Sequence, residues 1–404
     1  MTTSSVPAPP RTTTRATVHR EPVVAVDDRV LGYTVTVTLD DPDLADARAR
    51  AEVLHEQYLT LDLPALVADR DVFLPATSAM LDGFVPTPPG GSRLVLDLPF
   101  GFERREDAER RATALRSLGV QLDLMGFSAT PSQMRLLPLV QYVTVDPVIL
   151  EQELNEVVRT AHAAGVQVLA SGVTDVAVQA RCLVAGCDGL RGSASDRAKA
   201  QAEAQPKVLR PGQLQCLAAL HLLHQADVDL SEVAQVIDTD PILTLRVLHL
   251  VNSGAFALRN QIDTVHRAVI LLGVREVTGL VAALAIDSRA GAMDSLWQIL
   301  ARALSCEALS GDPAAYTVGM LSALVEELGV PADVVLEKVG VSAVVADAVR
   351  DQTGELGPVL AAVVAHEDGD LGAVVQAGYR PCDVSDTYLR CLSDALQTAK
   401  AVEG

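Results

Sequence analysis

The stretch "GVQLDLM" at 119–125 sets Val120, Leu122 and Leu124 against Gln121 and Asp123. That alternation is the period of a strand with one apolar and one polar face. Similar short apolar runs recur from about residue 22 to 190. "PVVAVD" and "VLGYTVTVT" read as two strands joined by a tight turn at "DDR". "RLVLDL" (93–98), "QYVTVD" (141–146), "GVQVLA" (165–170) and "CDGL" (187–190) read as further strands. Helical spacing fills the intervals at 43–65, 105–118, 131–139, 147–164 and 174–185. A strand-then-helix rhythm with short links predicts a parallel sheet closed into a (β/α) barrel of TIM type. The span is short for eight full units, so a trimmed barrel is expected.

The pattern changes after Gly192. "SASDRAKAQAEAQPK" is polar and reads as a linker, and beyond it the spacing is almost wholly helical. "GQLQCLAALHLLHQ" opens this part, and "DLSEVAQVID" follows with Ser231 as its candidate cap. Asp240-Pro241 then pairs an N-cap carboxylate with a proline preset for the first helical turn. Gly273 separates two long apolar helices. Residues 1–20 are rich in Thr, Ser, Pro and Ala, lack periodicity and read as a disordered tail. The division expected is therefore a tail at 1–20, a barrel at 21–195, a linker at 196–209 and an all-α domain at 210–404.

Composition narrows the function classes. Of the 404 residues 49% are hydrophobic but only 3% aromatic, so the core must be built from Ala, Val and Leu. The formal net charge is −20. Such a chain repels polyanions, so neither nucleic acid nor an anionic membrane surface is an expected partner. No apolar run is long enough to span a bilayer, and the first twenty residues lack the apolar core of a secretory signal. The six cysteines, at 182, 187, 216, 306, 382 and 391, form no Cys-x-x-Cys motif. They read as reduced thiols in a cytoplasmic protein.

Two stretches carry family resemblances. In "LSEVAQVIDTDPILTLRVLHLVNSGAFALRNQIDTVHRAVILLGVREV" (230–277), the matching points are Asp240, Pro241, Leu245, Leu248, Leu250, Val251, Asn252, Ser253, Phe256, Ile262 and the run ending at Gly273. This resembles the HDOD domain, an all-α relative of the HD phosphohydrolases. The N-terminal half, through "REPVVAVDDRVLGYTV", "RLVLDLPF", "LRSLGVQLDLMGFSAT", "LVQYVTVDP", "GVQVLASGVTD" and "AGCDGLRGS", resembles an EAL domain, the cyclic di-GMP phosphodiesterase barrel. An EAL–HDOD chain implies a bacterial signalling protein.

The resemblance also says where the chemistry should be. An active EAL domain resembles a two-metal hydrolase, which needs anionic oxygen ligands grouped at the strand ends. The signature Glu-Ala-Leu falls on Thr34, Val35 and Thr36. The metal-binding Asn falls near Leu74 or Pro75. The Glu-x-x-Glu strand end falls on Asp97 and Phe100. The Asp-Asp pair falls on Met125 and Gly126, the catalytic Lys on Thr144 with Asp146 kept, and the later Glu on Ser171. Asp97 and Asp146 alone remain as carboxylates, and two isolated acids do not hold two divalent cations. Asp123 lies two residues before the aspartate pair, and alternation aims it away from the cluster. Arg191 is the basic residue at the mapped mouth, either a phosphate partner or a solvated arginine.

The HD pair fares no better. No His-Asp dipeptide exists in the chain, and Ser322-Ala323 stands where the relatives would carry it. His221 and His224, spaced i, i+3, could grip a metal but have no third ligand nearby. His266 has the same standing, and His366 reads as a packing position. The expectation is a non-enzymatic signalling or scaffold protein with no metal or cofactor, acting through protein partners. The alternative is a metal-independent receptor for cyclic di-GMP or another nucleotide. An active phosphodiesterase would need ligands outside the family pattern. Partner, stimulus and oligomeric state are not legible.

Overall fold

The chain's structure is a computed structural model. It describes residues 16–26, 29–39, 47–86, 93–173, 175–192, 211–223, 228–239, 244, 247–248, 252, 262–286 and 292–403.

A β-hairpin opens the fold. Strands β1 (Ala16–Ala25) and β2 (Val30–Leu39) pair antiparallel, from Ala16 opposite Leu39 to a register shift after Val23. Then come α1 (Ala47–Thr60), α2 (Leu63–Val67), β3 (Asp71–Pro75), α3 (Ser78–Leu81) and β4 (Leu94–Leu98). Next are α4 (Ala108–Ser117), β5 (Gln121–Met125), α5 (Pro131–Met134), β6 (Tyr142–Val145) and α6 (Pro147–Leu150). The half ends with α7 (Leu154–Ala163), β7 (Gln167–Ala170), α8 (Val176–Ala185) and β8 (Gly189–Arg191). Strands β2 to β8 run parallel, and β8 closes on β1 antiparallel, giving an eight-stranded closed barrel in sequence order. The trimming expected from length falls on the helices: α3, α5 and α6 have four residues each.

Alternation then sorts the side chains. Tyr33, Val35, Leu74, Leu96, Leu122, Leu124, Val143 and Val168 belong to the large apolar cluster that includes the helices. Val23, Phe73, Val95, Tyr142 and Leu169 form a separate small core. Gly32 sits opposite Asp71 across β2 and β3, where any Cβ would collide with the Asp71 carbonyl oxygen.

Of the tail expected over 1–20, residues 1–15 lie outside the described residues; it does not include residues 16–20, which are the first half of β1. Its period was masked because charged residues on both faces are engaged. Arg20 is buried beside Tyr33 and Trp297, while His19 and Glu21 point the other way along the strand. The linker expected at 196–209 lies outside the described residues.

The second half is helical. Among the described residues it comprises α9 (Pro211–Leu223), α10 (Leu230–Asp238), α11 (Val265–Ile286), α12 (Ala292–Ser310) and α13 (Pro313–Leu328). It continues with α14 (Ala332–Val339), α15 (Ala343–Asp351), α16 (Gly357–Glu367), α17 (Leu371–Gln376) and α18 (Pro381–Glu403). Gly273 breaks the helical dihedrals inside α11, with φ +80°, as the two-helix reading expected. The cap of α10 is Asp229, whose carboxylate accepts from Ser231 N at 2.8 Å; Ser231 lies inside the helix. No helix of the described residues is long and apolar enough to cross a membrane.

Helices α12 and α18 cover the outer face of the hairpin. The Arg20 guanidinium lies 4.2 Å from the Tyr33 ring and 4.0 Å from that of Trp297 on α12. Tyr33 donates to Asp294 at 2.8 Å, and Arg70 pairs with the other oxygen of that carboxylate at 2.9 Å. Val18 N donates to Ser385 Oγ on α18 at 2.9 Å. The barrel's first hairpin is thus built into the helical half by paired, desolvated polar groups as well as by aromatic area.

Candidate functional site

Side chains from β2, β4, β5, β6 and β8 converge inside the barrel above the small apolar core. Register accounts for this: Asp97 is opposite Asp123, and Met125 opposite Thr144. Arg191, at the end of β8, supplies the centre. Its Nη2 donates to Asp97 Oδ2 at 2.6 Å and to Thr34 Oγ1 at 2.8 Å. Its Nη1 donates to Asp123 Oδ2 at 2.7 Å and Asp97 Oδ1 at 3.1 Å, and reaches Met125 Sδ at 3.3 Å. Thr144 Oγ1 donates to Asp123 Oδ2 at 2.5 Å. The Phe73 ring lies beneath, 5.1 Å from the guanidinium carbon.

This cluster is dry. Arg191 is 7% exposed and Asp123 fully buried. Burial pushes the Asp123 carboxyl up to about 7, with Asp97 adding to the rise and Arg191 opposing it. Its Oδ1 has no hydrogen-bond partner. The Arg191 guanidinium is held above its ordinary value, because two carboxylates outweigh the burial that disfavours its charge.

Two expectations are corrected here. Arg191 is neither solvated nor free for a phosphate; it is buried and shared between two carboxylates. Asp123 points into the cluster, since the polar face of β5 lines the barrel interior and not the solvent. Of the mapped positions, Thr34, Asp97, Met125 and Thr144 meet around this guanidinium. Val35 faces the outer core, and Thr36 is half-buried on β2 opposite His19. Asp146 is turned to the N-terminus of α6, accepting from Val148 N at 2.9 Å and Ile149 N at 3.1 Å. Ser171 donates to the Val145 carbonyl at 3.4 Å.

Phe100 and Gly126 meet at the rim. Phe100 is 75% exposed, and its ring covers the space where a Gly126 side chain would stand. Gly126 also has φ +67°, in the left-handed region. Gly126→Ala is expected to cost about 1–2 kcal/mol from backbone strain, with Phe100 displaced as well. Urea unfolding checks it, and an unchanged midpoint would show that the rim gives way freely.

The mouth does not fit a pair of divalent cations. Thr34, Met125 and Thr144 are neutral, and both carboxylates are already shared by a fixed cation that would repel a metal at the same place. Among the described residues no group of three or more His, Cys, Asp or Glu could hold a metal ion.

The helical half has a buried arginine of its own, which periodicity alone did not reveal. Arg302 on α12 is 2% exposed. It pairs with Glu367 Oε2 at 2.6 Å and Glu326 Oε2 at 2.8 Å, and donates to Ser322 Oγ at 3.2 Å. Tyr388 donates to the other Glu367 oxygen at 3.1 Å. Burial pushes the Glu367 carboxyl up, against the pull of Arg302. Ser322 is the residue onto which the HDOD resemblance maps the HD pair. A lone arginine in the apolar run "LWQILARALSC" was the available signal.

Two of the histidines singled out by the sequence have structural surroundings. His366 packs on Tyr388 with ring centroids 5.0 Å apart, and burial pushes its pKa down to about 3. His221 bonds the Val339 carbonyl through Nδ1 at 2.5 Å. His266 is exposed, and His224 lies outside the described residues. Asp240, Pro241, Leu250, Val251, Ser253 and Phe256 lie outside them too. Asn252 is described: its Nδ2 donates to Leu248 O and Ile262 O at 2.8 Å each, and its Oδ1 accepts from Ile262 N at 2.7 Å. It clamps the chain before α11 to its own helical turn.

The HDOD domain family model matches residues 215–327. Among solved structures, the chain is similar to the PaMucR phosphodiesterase in its c-di-GMP complex, at 13% identity and TM-score 0.36, covering 44% of this chain and 89% of that one. It is similar to the Xanthomonas citri FimX EAL domain in complex with c-diGMP, at 17% identity and TM-score 0.35, covering 44% and 85%. It is also similar to an EAL domain protein from Listeria monocytogenes, at 13% identity and TM-score 0.35, covering 44% and 86%. No curated protein matches the chain in sequence. The chain joins an N-terminal eight-stranded barrel structurally similar to EAL domains to a C-terminal helical part carrying an HDOD domain at 215–327.

Proposed function

We propose that this chain is a catalytically inactive protein of bacterial signal transduction, in which the EAL-like barrel and the HDOD domain mediate protein–protein interactions in the cytoplasm. The observation that carries the reading is the position of Arg191. Its guanidinium contacts four positions that the EAL resemblance maps to the signature, metal-binding and catalytic residues: Thr34, Asp97, Met125 and Thr144. A side-chain cation there engages both carboxylates, and no water-activating metal has ligands left to bind.

The same contacts weigh against a nucleotide receptor at the mouth. A cyclic dinucleotide needs cations for its phosphates, and the Arg191 donors are already directed at carboxylate, hydroxyl and thioether groups.

Purified full-length protein incubated with cyclic di-GMP and Mg²⁺ or Mn²⁺ is expected to leave the dinucleotide intact. Appearance of the linear dinucleotide would overturn the proposal. Calorimetry with cyclic di-GMP is expected to give no saturable heat; tight stoichiometric binding would instead make the barrel a receptor. For the interaction role, a protein that co-purifies from the native cytoplasm should bind the purified chain stoichiometrically. Failure of every co-purified candidate in that step would sink this part of the reading.

A further inference from the structure

Helix α8 ends in a left-handed turn at Gly186, φ +87°. Gly186 N bonds Leu183 O at 3.1 Å, and Cys187 N bonds Cys182 O at 3.0 Å. This is the Schellman arrangement, in which the residue after the left-handed one returns its amide to the carbonyl five positions back. Such a turn also brings the side chains of those two positions together. Here both are cysteines, and both are buried. The ordinary content of that contact is a small apolar pair. Two cysteines whose side chains a turn brings together can also form a bond, provided the backbone separation suits a disulfide.

We propose that Cys182 and Cys187 form a reversible redox pair whose disulfide staples the last turn of α8 to the residues leading into β8, the strand that carries Arg191. Cys182 is the attacking sulfur. The Cys187 thiol lowers its pKa, with burial opposing and Arg181 assisting, whereas Cys187 is held as the thiol. Hydrogen peroxide serves as the oxidant. The Cys182 thiolate attacks one peroxide oxygen, the O–O bond breaks, and the hydroxide released is protonated to water. The resulting sulfenic acid is attacked by Cys187 sulfur as its proton leaves. The S–O bond breaks, a second water departs and the S–S bond forms. Two thiols are oxidised and one peroxide is reduced to two waters. The oxidant enters by opening of the helix end, where Leu183 and Val184 are exposed.

The test uses the native full-length chain under a peroxide titration, with thiols then blocked by an alkylating agent in denaturant. Trypsin cleaves after Arg181 and Arg191 and releases residues 182–191 with both sulfurs. That peptide is expected to lose two hydrogens and to take no blocking group, and dithiothreitol should restore both thiols. Cys216, Cys306, Cys382 and Cys391 should still take the blocking group at the same dose. In Cys187→Ala, Cys182 should progress to sulfinic acid, because no neighbour resolves the sulfenic form. The wild-type measurement stands alone should that variant fold poorly. Two blocking groups on the wild-type peptide at every dose that leaves the far-ultraviolet spectrum intact would overturn the proposal. So would a bond that forms only after the chain has been unfolded.

Discussion

Arg302→Met is expected to lower the stability of the protein by about 3–5 kcal/mol, the cost of removing one partner from a buried ion pair. The reason lies in what remains. Glu367 is 8% exposed and its carboxylate is held by Arg302 and Tyr388. Glu326 points at the same guanidinium. Without the cation, Glu367 must either remain charged in an apolar surround or take up a proton. Burial already pushes its carboxyl upward with Arg302 present, so the variant should bind that proton readily and its deficit should shrink in acid. The double variant Arg302→Met, Glu367→Leu is expected to recover much of the loss, since an apolar pair of similar volume replaces a desolvated ionic one. Chemical denaturation of the three proteins at neutral pH checks this. Equal midpoints for wild type and Arg302→Met would mean that water reaches the cluster.

Most of the barrel was legible because its outer face obeys a single rule. Leu122 and Leu124, or Val143 and Val145, alternate with other residues and pack under helices, and that alternation marks strands wherever it occurs. "DVFLP" at 71–75 was missed as a strand by periodicity because it is apolar at successive positions: Phe73 faces the inner core and Leu74 the outer. A strand buried on both faces has no period to read. The same physics produced the error at Asp123. A polar residue in an alternating strand is read as solvent-facing, but a closed barrel puts that face in its interior. There the residue has to be paired, and here it is paired by Arg191.

Arg191 itself could not be placed from spacing. Its partners lie 68 and 94 positions away, and nothing in "GLRGS" says which strands flank β8. The resemblance supplied the positions that should converge; it did not supply the cation around which they do so. The two halves nonetheless share one solution. In each, a buried arginine lies between two carboxylates.

The pH dependence of stability follows from the barrel cluster. Asp123 is pushed up to about 7 in the folded protein, against roughly 3.9 for an unperturbed aspartate. Between those values the folded chain holds a proton that the unfolded chain has released. Stability must therefore fall as pH rises across that window. The contribution is fully present below about pH 4 and lost as pH passes 7. At about 1.4 kcal/mol per pKa unit, the fall is on the order of 4 kcal/mol. Glu367 works in the same direction, so the wild-type profile alone does not isolate Asp123. Asp123→Asn does. Its amide carries no titrating proton, and Arg191 keeps its two bonds to Asp97. The variant should match wild type near pH 4 and exceed it near pH 8, as read from urea midpoints. A parallel fall in both proteins would assign the slope to other carboxylates. A lower midpoint for the variant at pH 8 would mean that the charged Asp123–Arg191 pair is net stabilising. With the proton on Asp123, one guanidinium faces one carboxylate and the barrel interior is electrically balanced. The protein thus reaches, with its own side chains, the neutrality that two carboxylates would otherwise require from a bound cation.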